Sequence, residues 1–134
     1  MSRTTFRGAV RSRGGRAHGT PSTAVLMLQA SGDPTAVAAT QIGMLPKGAI
    51  LLTISSFGGA TGGISPTIDV GDGETDDAFA SALAVDAAAL REAVTGAGVA
   101  LTADTPVTMK ANSAATGGVA TIAIEYVPAD DGSL

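Results

Sequence analysis

Apolar and polar residues alternate most clearly in residues 119–127. Ala120, Ile122, Ile124 and Tyr126 fall on one face, Thr121, Ala123 and Glu125 on the other. That period of two predicts a strand with one buried and one solvated face. Residues 105–111 repeat it, with Val107 and Met109 opposed to Thr108 and Lys110. Residues 112–118 between them are rich in Ser, Thr and Gly, so the two strands read as a hairpin. Residues 49–57 give the strongest strand. Ile50, Leu52 and Ile54 lie on one face and Ala49, Leu51 and Thr53 on the other. Apolar residues on both faces predict a strand buried centrally or against a neighbour.

Shorter apolar runs complete the pattern. Residues 23–30 have the length of a strand and end at the Ser31-Gly32-Asp33-Pro34 turn signal. Residues 35–42 are alanine-rich but favour extended chain before the turn at residues 45–48. The Gly-rich residues 58–63 read as a hairpin loop leading into a return strand over residues 64–70. They lack the Lys-Ser/Thr ending and following helix of a phosphate loop. Residues 77–83 place Phe79 and Leu83 four apart, the spacing of one helical turn. Residues 85–94 also have helix-forming composition, set in a chain of otherwise β character, so helix and strand both remain open there. Residues 99–101 read as extended, 102–104 as a turn and 128–134 as a polar tail. Strands separated by Gly, Pro and Asp turns predict a mainly β fold: an antiparallel β-sandwich with short helical pieces and an extended basic N-terminal arm.

Composition adds two constraints. The chain has 134 residues, 45% of them hydrophobic, but only 3% aromatic. Its core must be built from Val, Ile, Leu, Met and Ala, which points to help from oligomerisation or docking on a larger body. Charge is unevenly placed. Residues 1–32 carry five arginines and no acid, whereas the rest carries three bases against twelve acids. The chain therefore divides into a flexible basic arm, residues 1–22, and a β-sandwich body, residues 23–134. The arm reads as a segment that orders on a partner, against the plainer reading of a disordered tail. Five arginines would give weak binding to nucleic acid, but a single Phe offers no stacking platform and the acidic body opposes it. No nucleic acid and no membrane partner is expected; no run of about 18 apolar residues is present.

Candidate chemistry is sparse. The chain has no cysteine, which excludes disulfides, thiolate metal sites and thiol catalysis. Its one histidine, His18, lies in the arm, where a catalytic triad would not be preorganised. Asp69, Asp72, Glu74, Asp76 and Asp77 form the densest acidic cluster. Asp72, Glu74 and Asp76 have the alternate spacing of a calcium loop, but Asp77 stands where such a loop needs Gly and Leu83 where it needs Glu. The cluster reads as a solvated turn, with Asp76 or Asp77 capping the short helix. No enzyme activity, cofactor or metal is expected.

The order of LPKGAI, GGISPTIDVG, DDAFASALAV, LTADTPVTMKA and GGVATIAIEYVP over about residues 45–128 resembles head decoration, or cement, proteins of tailed bacteriophages. The opening FRGAVRSRGG is similar to the extended start of such proteins. The resemblance implies a β-sandwich on the outer capsid surface of the virion, often as a homotrimer, with the major capsid protein as partner. Arg3, Phe6, Arg7, Val10 and Arg11 are the expected capsid contacts. Tail, baseplate or head-fibre proteins, and a carbohydrate-binding β-sandwich module, are the alternatives.

Overall fold

The computed structural model describes residues 24–86 and 92–129. Among them are ten strands: β1 Leu26–Gly32, β2 Thr40–Leu45, β3 Ile50–Ser56, β4 Ala60–Thr61, β5 Thr67–Gly71, β6 Ala80–Ala84, β7 Glu92–Ala93, β8 Thr105–Ser113, β9 Gly117–Gly118 and β10 Ala120–Val127. One sheet has the order β1-β10-β3-β7 and a second the order β2-β8-β5-β6; β4 and β9 pair by themselves. Every pairing is antiparallel.

The strands expected to form hairpins are not hydrogen-bonded to each other. β3 and β5 lie in different sheets, and so do β8 and β10. Instead, the segment from β3 to β5 pairs with the segment from β8 to β10 along its length. Ser56 pairs with Ile122 in the first sheet. The Phe57 N–H then donates to Thr121 O at 2.9 Å and the Val119 N–H to Gly59 O at 3.1 Å. Ala60 and Thr61 pair with Gly118 and Gly117, and Thr67 pairs with Ser113 in the second sheet. Two long segments thus run antiparallel from one sheet into the other, and the Gly-rich stretches are the corner they turn together.

The corner needs glycine because two backbones nearly touch there. Gly59 and Gly118 have φ of 101° and 88°, a region that side chains disfavour. A Cβ on Gly118 would strike the Gly59 carbonyl, and one on Gly59 would strike the Val119 carbonyl.

Both four-stranded sheets contribute to one hydrophobic cluster. Leu51, Ile54, Ile122 and Ile124 enter from the first sheet, and Ile68, Val70, Leu83, Val107 and Met109 from the second. Phe79 is the one aromatic residue in the buried set. The core is therefore aliphatic, and each fully buried Val, Leu or Ile contributes roughly 1.5–3 kcal/mol of transfer free energy.

Two bulges reassign faces that simple alternation had placed. In β3, Thr53 pairs with Glu125 but Leu51 pairs with Tyr126. Leu52 is the extra residue, so the face changes across it. Ala49 and Leu51 join Ile54 in the core, at 0%, 2% and 0% exposure, whereas Leu52 does not belong to the core. The second bulge replaces the expected helical turn over residues 77–83. Leu83 pairs with Ile68 and Ala80 with Val70, leaving Ser81 and Ala82 opposite Asp69 alone. Ala82 takes a positive φ of 55°. Its N–H donates to Asp69 Oδ1 at 3.0 Å. Two residues against one sends Ala80 and Leu83 to the same side, a spacing of three that imitates helix.

Among the described residues there is no helix. Of the helix-like residues 85–94, positions 87–91 lie outside the described residues, while Glu92 and Ala93 pair with Ile54 and Thr53 as strand β7.

The corner makes a paired prediction. Gly96 has a positive φ of 79° but nothing within 4 Å of an added Cβ. Gly96→Ala should cost about 1 kcal/mol, from backbone conformation alone. Gly118→Ala should cost clearly more, because a carbonyl must also move. Urea unfolding of both variants checks the order, and equal losses would refute the close approach.

Candidate functional site

The acidic cluster surrounds the turn between β5 and β6, and two of its carboxylates, those of Asp69 and Asp72, accept from backbone N–H groups. Asp72 Oδ1 accepts from the Glu74 N–H at 2.9 Å and the Thr75 N–H at 2.8 Å. These two bonds, Thr75 first, hold the Asp72 carboxyl below the ordinary aspartate pKa. The turn closes with the Asp72 N–H donating to Thr75 O at 3.2 Å. Asp69 holds the β6 bulge. Asp76 stands 3.8 Å from the Lys110 ammonium, an exposed pair of little energetic weight. No helix follows for Asp76 or Asp77 to cap, because β6 occupies that place.

Two further acids do the same work in other loops. Asp104 Oδ1 accepts from the Lys47 N–H at 2.8 Å, tying the β2–β3 turn to the start of β8. Asp33 Oδ1 accepts from the Thr35 hydroxyl at 2.6 Å and the Thr35 N–H at 2.8 Å. Those bonds, the hydroxyl first, lower the Asp33 pKa. The short polar side chain of Asp bonds backbone N–H groups two or three residues ahead, which is why it marks turns.

Asp72, Glu74, Thr102, Ala103, Asp104, Thr105 and Pro106 line a depression of about 300 Å³. Two of its three carboxylates are already bonded to N–H groups. Among the described residues, no three His, Cys, Asp or Glu side chains are grouped as metal ligands. The calcium spacing of Asp72, Glu74 and Asp76 therefore does not become a ligand set. Arg3, Phe6, Arg7, Val10 and Arg11, the expected contact residues, all lie outside the described residues, as does His18.

The surface feature that alternation had not revealed is one lateral side of the body. β1 and β2 are edge strands of the two sheets and lie beside each other. Val25, Leu26 and Met27 are exposed on β1 and its lead-in, and Met44 on β2. The apolar run over residues 23–30 was legible in the sequence. Its position at an edge was not, because edge and centre depend on pairing with distant β10.

No family model and no curated protein matches this sequence. Solved structures do. A chain of the cyanophage Pam1 capsid asymmetric unit is similar with a TM-score of 0.59 and 25% identity, over 88% of this chain and 94% of that one. A chain of the Helicobacter pylori bacteriophage KHP30 capsid is similar with a TM-score of 0.57 and 16% identity, over 81% and 90%. A chain of the Ralstonia phage GP4 capsid has a TM-score of 0.57 and 18% identity, over 86% and 90%.

Asp72 gives a pH test. Its folded-state pKa is depressed, so its stabilisation is present above the ordinary aspartate range and is lost as pH falls through the folded value. Asp72→Ala should lower Tm at pH 7, and its gap from the wild type should narrow below about pH 4. A gap of constant size from pH 7 to pH 3 would show that the ionised carboxylate is not what holds the turn.

Proposed function

We propose that this chain is a virion structural protein, a capsid decoration or cement protein of a tailed bacteriophage. The observation that carries the reading is the fold it shares with a chain of the Pam1 capsid, over 88% of its length and at 25% identity. In this reading it sits on the outer capsid surface, binds the major capsid protein and bridges neighbouring subunits as a homotrimer. Its action is mechanical, since separating bridged subunits also requires breaking their contacts with the bridge.

The two parts of the chain take different tasks. Arg3, Phe6, Arg7, Val10 and Arg11 make shell contacts, the arginines through paired hydrogen bonds to carboxylates and Phe6 and Val10 as apolar anchors. The acidic body faces solvent. Carboxylates of Asp33, Asp69, Asp72 and Asp104 hold its loops, and its aliphatic core supports the surface.

Copy number in purified particles tests this reading. A ratio to the major shell protein near one, or a simple fraction of it, is expected. A handful of copies would move the chain to the tail, baseplate or a head fibre. Absence from particles would overturn a virion role. Deleting residues 1–20 should weaken shell binding while leaving the circular dichroism of the body unchanged. Undiminished decoration by the truncated chain would overturn the arm assignment.

A further inference from the structure

β1 is an open edge with two unlike faces. It is seven residues long, LMLQASG, without charge or proline. It pairs with β10 from Leu26↔Tyr126 to Gly32↔Ala120 without a bulge. Charge, proline, a bulge or short length commonly protects an edge strand, and β1 has none of these. On its inner face, Leu28 lies opposite the buried Ile124 and packs against the core. Gly32 and Ile42 of β2 meet beside it; a Cβ on Gly32 would lie 3.0 Å from Ile42 Cγ2. On the outer face, Met27, 53% exposed, lies opposite Glu125, whose carboxylate accepts from the Thr53 hydroxyl at 2.7 Å. The edge thus offers apolar surface inward and a carboxylate one strand away outward.

The first residues of the chain have the matching pair of faces. In residues 3–13, Arg3, Arg7, Arg11 and Arg13 fall on odd positions, and Phe6 and Val10 on even ones. In extended chain this pattern puts four cations on one side and the two apolar residues on the other. No proline occurs before Pro21, so every residue of the segment keeps its N–H for a ladder. Residues 14–25 include Gly14, Gly15, Gly19 and Pro21, which supply the length and the turn chemistry for a reversal into β1.

We propose that in the free protein residues 3–13 of the same chain add to β1 as an antiparallel strand. Charge selects this occupant. The described body carries ten acids and only two bases, Lys47 and Lys110, so it repels a second body. Residues 1–23 carry five arginines and no acid. Position selects the segment too. The described residues begin at Ala24, two residues before β1, so the segment meets this edge at high effective concentration. Strand addition draws its affinity from main-chain hydrogen bonds, which Gly and Ser also make. One register satisfies both faces. With Val10 opposite Leu28, Phe6 falls opposite Gly32, beside Ile42, and Arg11 falls opposite Met27, in line with Glu125. The inference goes beyond the proposed function, since a shell that binds the same arginines must take the segment from this edge.

Hydrogen exchange of the β1 amides turned away from β10 tests this on the free chain. Deleting residues 1–20 should speed their exchange by about tenfold, and so should Phe6→Glu with Val10→Glu in the full chain. Equal exchange in the full and truncated chains would overturn the proposal. Protection that rises with concentration between about 1 and 100 µM would also overturn it, by placing the segment on another copy. The register has its own test, because the chain has no cysteine. Val10→Cys with Leu28→Cys should close an intramolecular disulfide on oxidation. Val10→Cys with Gln29→Cys, on opposite faces, should not. Failure of the first pair, or equal closure of both, would overturn this register. The shell reading fails separately, through copy number in particles.

Discussion

The structure depends on one long antiparallel pairing, that of residues 50–71 with residues 108–127. It enters from the first sheet, bends where β4 meets β9, and continues in the second. Each segment supplies a central strand to both sheets: β3 and β10 to one, β5 and β8 to the other. The outer strands β1, β7, β2 and β6 attach to these four. The close approach of Gly59 and Gly118 is thus more than a local turn. A side chain there would separate the backbones at the point where the two sheets are joined.

β3, β8 and β10 were legible in the sequence because apolar residues alternate along them. Residues 119–127 were placed within one residue of β10, and 49–57 within one residue of β3 at either end. Their partners were not legible. Ser- and Gly-rich linkers permit a hairpin, but they equally permit a shared corner, and only the register between residues about 60 apart decides. Local pattern also failed where a bulge added a residue. Leu52 inverted the faces of β3, and Ser81 with Ala82 gave β6 the spacing of a helical turn. A bulge carries no hydrophobic signature of its own, so alternation cannot anticipate it. The expected arm contacts lie outside the described residues, so the fold does not bear on them.

The acidic residues had two readings, metal ligation and solvated turns, and geometry separates them. A cation site needs carboxylate oxygens converging on a common point. Of the residues with calcium-loop spacing, Asp72 instead turns an oxygen towards the Glu74 and Thr75 N–H groups and Asp76 faces Lys110; Asp33 and Asp104 likewise accept from backbone N–H groups. The negative charge of the body is therefore in part a by-product of how its turns are closed. It also has a collective consequence, since it leaves a field that disfavours the approach of any second acidic surface.

Core composition and surface charge together limit how such a body can recognise a partner. The buried set is aliphatic apart from Phe79 and packs both sheets into one cluster. Aliphatic side chains packed on two sheets fill the interior and leave little room for a ligand cavity. Recognition then falls to edges and surfaces. Charge narrows these further, because an acidic surface favours basic partners while β1 and β2 are uncharged and apolar. The two kinds of surface answer differently to salt: contacts made through charge weaken as ionic strength rises, whereas burial of the exposed Leu26, Met27 and Met44 would not.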